Sequence, residues 1–147
     1  METKSKRDEV IEVANKLFIY TDYHQWDKLL SDVFTTTVEF DMQSAGGGKA
    51  QELKAQDICN TWEKGFEDID AIHHQAGNYI VKFNADEIEA EIVCYAIATH
   101  YKNAALQGKT REFVGSYELK AVLTDEGWRL NGFKYNLKYV NGNIELE

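Results

Sequence analysis

Apolar residues change their spacing once along this chain, near Ala71, from steps of three and four to alternation, and this constrains the fold more than any other feature. Before the change, Val10, Val13, Ala14, Leu17, Phe18 and Thr21 form one apolar helix face. Ser5, followed three residues on by Asp8, resembles a capping box with a shorter acid, and Asp8 and Glu9 suit the positive end of a helix. Trp26, Leu29, Leu30, Val33 and Phe34 repeat the pattern in a short second helix, and Ile58, Trp62, Phe66 and Ile69 in a third. Between those two, Val38, Phe40 and Met42 alternate with Glu39 and Asp41, which predicts a strand with one wet face.

After the change, Tyr79, Val81 and Phe83 alternate, and Asn84-Ala85-Asp86-Glu87 reads as a turn. Ile88 to Tyr101 is a strand candidate longer than usual, so it must be strongly twisted or curved. Thr110 to Leu123 follows a loop holding Gly108, and Trp128 to Tyr139 returns after the turn Thr124-Asp125-Glu126-Gly127. Short connections between long strands imply antiparallel neighbours. The expected fold is α+β: three N-terminal helices covering one face of a curved, mainly antiparallel sheet, in a single domain over residues 1–147.

The longest strand is apolar on both faces, with Val93, Tyr95, Ile97 and Tyr101 on one and Ile92, Cys94, Ala96 and Ala98 on the other. Helices cover only one face of a single sheet, so a homodimer through the outer sheet face is expected. Twenty-five acidic residues against sixteen basic ones leave a net charge of −9, which argues against nucleic-acid and anionic-membrane partners. The longest unbroken apolar run, Ile92 to Ala98, falls well short of the ~20 residues needed to span a bilayer. The N-terminus offers no apolar stretch of signal-peptide type, and Cys59 and Cys94 form no C-x-x-C pair, so a reducing, cytoplasmic setting is expected.

His24, His73, His74 and His100 are the titratable rings. Neighbours on a strand point to opposite faces, so His73 and His74 do not share one cavity, and no metal-ligand motif accompanies them. The run Ala45-Gly46-Gly47-Gly48-Lys49-Ala50 is not a phosphate loop, since Gln43 stands where glycine is required and Ala50 where Ser or Thr is required. It reads as a mobile connection, with a flap over a pocket mouth as a second role. Ser31, Ser44 and Ser116 lack a nucleophile elbow and neither cysteine has an activating setting. General acid–base chemistry without cofactor or metal is what remains.

The string Tyr20-Thr21-Asp22-Tyr23-His24-Gln25-Trp26-Asp27-Lys28-Leu29 resembles the corresponding segment of the SnoaL-like branch of the nuclear transport factor 2-like superfamily. Val38-Glu39-Phe40-Asp41, His74-Gln75-Ala76-Gly77-Asn78-Tyr79, Ala98-Thr99-His100-Tyr101-Lys102, Gly115-Ser116-Tyr117 and Asp125-Glu126-Gly127-Trp128-Arg129-Leu130 continue the match in order. The resemblance implies a cone-shaped roll enclosing a pocket between helices and sheet. It also implies cofactor-free lyase or isomerase chemistry, dehydratase- or cyclase-like, on a small hydrophobic ring compound. Asp22 and His74 occupy the places of the acid–imidazole pair of several members, and His100 resembles a second pocket histidine.

Two tyrosines that polarise a carbonyl in a dehydratase member are replaced here by Thr21 and Met42, with Tyr20, Tyr23, Tyr79, Tyr95, Tyr101 or Tyr117 as substitutes. The expected catalytic residues are Asp22, His74 and His100, and the expected substrate contacts are Trp26, Met42, Trp62 and Tyr117. A non-catalytic ligand-binding or dimeric module of the same fold is the alternative, and an Asp22–His74 contact facing an open cavity is what separates the two.

Overall fold

The computed structural model describes residues 3–147; Met1 and Glu2, the start of the stretch read above as lacking a signal-type run, lie outside the described residues. Helix α1 (Lys6–Asp22) starts at Ser5, whose hydroxyl accepts from the Asp8 backbone N–H at 3.1 Å. Its buried residues are the six that the spacing marks, Val10 through Thr21. A turn at His24, with φ 54°, leads into α2 (Trp26–Lys28), which widens at once into a π-helical turn, Leu29–Val33. That wider turn sets Leu29 and Val33 in the core together. Phe34, expected to close the second helix, instead opens strand β1 (Phe34–Asp41).

A short 3-10 turn, Gln43–Ala45, and the edge strand β2 (Gln51–Lys54) precede α3 (Ala55–Gly65). β2 carries one apolar residue, Leu53, among Gln, Glu and Lys, so its sequence held no alternation to read. α3 stops at Gly65, one turn before the expected end, leaving Phe66 as its cap and Ile69 beyond it. The glycine run is tethered: the Ser44 hydroxyl donates to the Tyr135 carbonyl at 2.7 Å and accepts from the Leu137 N–H at 2.9 Å.

The remaining strands are long: β3 (Ala71–Phe83), β4 (Glu89–Tyr101), β5 (Thr110–Thr124) and β6 (Gly127–Gly142). They form an antiparallel meander, and β1 returns to pair parallel with β6, giving the order β2-β1-β6-β5-β4-β3. This is the expected α+β cone, with the concave side filled by the buried residues of the helices and of alternate strand positions. The convex side of β4 leaves Val93, Tyr95 and Ile97 exposed, together with Ile80 on β3 and Tyr139 on β6.

One irregularity decides which histidine faces inward. Gly77 pairs with Tyr95 but Ile80 with Val93, so β3 carries one extra residue, at Asn78, whose φ is 59°. On one side of this bulge Ile72, His74 and Ala76 point to the concave face; on the other Tyr79, Val81 and Phe83 do. Unbroken alternation from Tyr79 back would have turned His73 inward and His74 out. Asparagine tolerates the left-handed conformation that β-branched residues resist. Asn78→Val is therefore expected to lower unfolding free energy by about 1–2 kcal/mol, with Asn78→Gly close to neutral, as read by urea denaturation.

Candidate active site

Asp22 ends α1 and His74 lies in the first half of β3, and the two meet. Asp22 Oδ1 lies 2.5 Å from His74 Nδ1, and Asp22 Oδ2 accepts from the His74 backbone N–H at 2.9 Å. One carboxylate thus grips both the ring and the main chain of the same residue. The two side chains are only 9% and 10% exposed, so the contact is shielded from solvent. With Nδ1–H donating to the carboxylate, the neutral ring carries its lone pair on Nε2.

His74 lines a cavity of about 360 Å³, within the size range of small-molecule sites, and with Nδ1 held by Asp22 its Nε2 is the ring nitrogen left free of that contact. Leu17, Phe18 and Thr21 of α1 roof the cavity; Thr61, Trp62, Gly65 and Phe66 close one side; His74, Ala98 and His100 line the β3–β4 wall; Phe113, Tyr117, Phe133 and Tyr135 line the β5–β6 wall. Between Phe113 and Tyr117 the close approach of β6 demands glycine: a Cβ on Gly115 would sit 2.2 Å from the Asn136 carbonyl oxygen and 2.9 Å from the Tyr135 hydroxyl. The large rings brace one another, Phe18 against His74 at 5.4 Å and against Tyr117 at 5.1 Å, and Tyr117 against Tyr135 at 4.8 Å.

Of the expected substrate contacts, Met42, Trp62 and Tyr117 line the cavity. Trp26 does not: the turn at His24 stacks its indole on the His24 ring at 5.3 Å. His73 is exposed on the convex side, as alternation requires. Among the candidate tyrosines Tyr117 alone reaches the cavity, and it is joined by Tyr135, absent from that group. Tyr135 lies directly opposite Tyr117 across β5 and β6, a pairing set by the register shift between Lys120 and Ala121 that no sequence signal announced. Burial pushes both phenols upward, so both remain O–H groups. The Tyr135 hydroxyl is buried with no hydrogen-bond partner among the described residues.

His100 is inward-facing on β4, one diagonal step from His74 in the strand register. Burial, then the Arg111 guanidinium and His74, push its imidazole down to about 4, so it is uncharged at neutral pH. Burial likewise pushes the thiols of Cys59 and Cys94 up to about 11, which keeps them from acting as nucleophiles. Among the described residues no three His, Cys, Asp or Glu side chains cluster as metal ligands. No helix there is long and apolar enough to cross a membrane.

A helix-roofed cone closed by a curved six-stranded sheet is the fold of the nuclear transport factor 2-like class. The model of the SnoaL-like domain matches residues 2–134, and the chain belongs to that family. No curated protein sequence matches it significantly. Among solved structures it is similar to the Kfla4162 protein from Kribbella flavida, at 26% identity and TM-score 0.88, covering 96% of this chain and 95% of that one. It is also similar to hexachlorocyclohexane dehydrochlorinase LinA-type3 from Novosphingobium barchaimii, at 14% identity and TM-score 0.72, covering 92% and 88%. A candidate scytalone dehydratase from Novosphingobium aromaticivorans, at 14% identity and TM-score 0.75, covers 92% and 86%. These last two likenesses are of fold.

Unfolded histidine titrates near 6.5 and His100 near 4, so the unfolded chain takes up this proton in a pH window where the folded chain does not. His100's contribution to stability is therefore complete above the upper value and is lost as pH falls toward the lower. Urea unfolding across that window is expected to show a loss of about 3 kcal/mol from this residue, absent in His100→Asn.

Proposed function

We propose that the protein is a cofactor-free lyase or isomerase acting on a small, uncharged, hydrophobic ring compound. The observation that carries this reading is the Asp22–His74 contact with Nε2 turned to an apolar, aromatic-lined cavity. His74 Nε2 removes a proton from a carbon beside a carbonyl or a leaving group. The C–H electron pair becomes a C=C bond, and either the leaving group departs with its own bonding pair or the carbonyl electrons move onto oxygen. The imidazolium that forms is held by the Asp22 carboxylate, which also keeps the ring from rotating. The proton is then returned to the departing group or to another carbon of the product. His100 and the Tyr117 hydroxyl face the same cavity as partners for the developing negative charge.

The names of structural relatives, a dehydrochlorinase and dehydratases, support this class of reaction. Hydrogen exchange at the α-carbon of 2-tetralone in D₂O, followed by proton NMR, tests it without the natural substrate. The protein is expected to accelerate exchange, and His74→Ala or Asp22→Asn to reduce that acceleration by about 10²–10⁴-fold with circular dichroism unchanged. Exchange that survives His74→Ala overturns the reading; bound 2-tetralone without exchange makes the protein a binding module.

We further propose a homodimer through the convex sheet face, in a reducing compartment such as the cytoplasm. Val93, Tyr95 and Ile97, 38%, 53% and 43% exposed in a row on β4, support the first point, and two free buried cysteines the second. Sedimentation equilibrium is expected to give a dimer that Tyr95→Lys with Ile97→Glu converts to a folded monomer. A wild-type monomer would refute it.

A further inference from the structure

Arg111 is anchored at three points beside the cavity. Its Nε donates to His100 Nδ1 at 3.0 Å, its Nη1 donates to the Ile144 carbonyl at 2.8 Å, and its guanidinium carbon lies 5.4 Å from the centre of the Phe113 ring. Arg111 is the direct cross-strand partner of His100 in the β4–β5 register. A guanidinium only donates, so His100 Nδ1 must offer a lone pair. The single ring proton of the neutral imidazole then resides on Nε2. The other tautomer, or the imidazolium, would set one N–H against another.

His100 Nε2 has no hydrogen-bond partner among the described residues, yet it is not among the polar atoms sealed from solvent without one, which are Trp128 Nε1, Asn131 Oδ1 and Tyr135 Oη. The cavity that His100 lines is the space through which it is reached. His74 presents the same ring atom to the same cavity in the opposite state. There a carboxylate holds Nδ1–H and leaves a lone pair on Nε2; here a guanidinium holds the lone pair and leaves N–H on Nε2. The two rings stand diagonally on adjacent strands, ~7–8 Å apart at the backbone.

We propose that Arg111 is a positioning residue that locks His100 as an uncharged Nε2–H donor, and that the cavity consequently selects neutral ring compounds with an acceptor oxygen toward His100 and the carbon to be deprotonated toward His74. The base at the second end rests on the reading given under Proposed function; the donor at the first end does not. Arg111 directs Nε at the ring and Nη1 at the Ile144 carbonyl and is not itself a lining residue of the cavity.

Two measurements on the intact protein test this. Nitrogen-15 NMR of histidine-labelled protein at neutral pH is expected to show His100 as the Nε2–H tautomer alone, becoming a mixture in Arg111→Met. Titration calorimetry with 2-tetralone and with tetralin, which shares its rings but lacks the ketone, is expected to favour the ketone about tenfold, the worth of one hydrogen bond. That preference should vanish in His100→Phe and shrink in Arg111→Met, where part of the ring population must change tautomer before it can donate, while tetralin affinity is retained. A wild-type Nδ1–H tautomer, a ketone preference that persists in folded His100→Phe, or one undiminished in folded Arg111→Met overturns the proposal, and the wild-type spectrum decides even if both variants fail to fold. Neither readout involves turnover, so loss of α-exchange with the preference intact would refute only the basic role of His74.

Discussion

The Asp22 carboxylate is the constraint on which the site depends. Its two oxygens join the end of α1 to the ring and the main chain of His74, so one ionised group fixes a helix against a strand and a tautomer against rotation. Such a contact is worthwhile only where both partners are largely withdrawn from water, since exposed ion pairs gain little. Here the withdrawal is supplied by the apolar face of α1, with Leu17 and Phe18 packed beside the pair, and by the inward positions of β3. The bulge at Asn78 is part of the same arrangement, because it shifts the parity of β3 and brings His74 rather than His73 beneath the carboxylate.

The cavity persists because its walls are stiff and its floor is small. Ala98 on β4 contributes only a methyl group to the wall. Phe18, Tyr117, Phe133 and Tyr135 prop one another at tilted and edge contacts and do not collapse inward. Empty apolar space costs stability in proportion to its volume, and such costs are borne at functional sites. A ring compound that occupies the space recovers dispersion contacts along most of its surface.

Two imidazoles of identical intrinsic chemistry have opposite partners in this space. A carboxylate lies against Nδ1 of one, and a guanidinium donates to Nδ1 of the other. Environments that drive like groups apart are how a site obtains a base and an electrophile without a cofactor. The family and the fold are shared with proteins of diverse activity, so it is this pairing, and not the cone itself, that argues for chemistry.

The amphipathic spacing of α1, the change of period near Ala71 and the long alternating strands are local patterns, and they alone sufficed for the helices, the antiparallel meander and the α+β class. The places of Asp22 and His74 were legible through resemblance, since both lie within short recognisable strings. Other features were decided only in three dimensions. β2 has too few apolar residues to announce itself, and the π-helical turn and the early end of α3 depend on what the core accepts. Trp26 leaves the cavity for a stack on His24, while Tyr135 enters it by strand register. Arg111 acquires its partner across a strand pair. The reason is common to all of these: spacing along a chain fixes which side of its own element a residue occupies, whereas the neighbour it meets there is set by register, bulges and the curvature of the whole sheet.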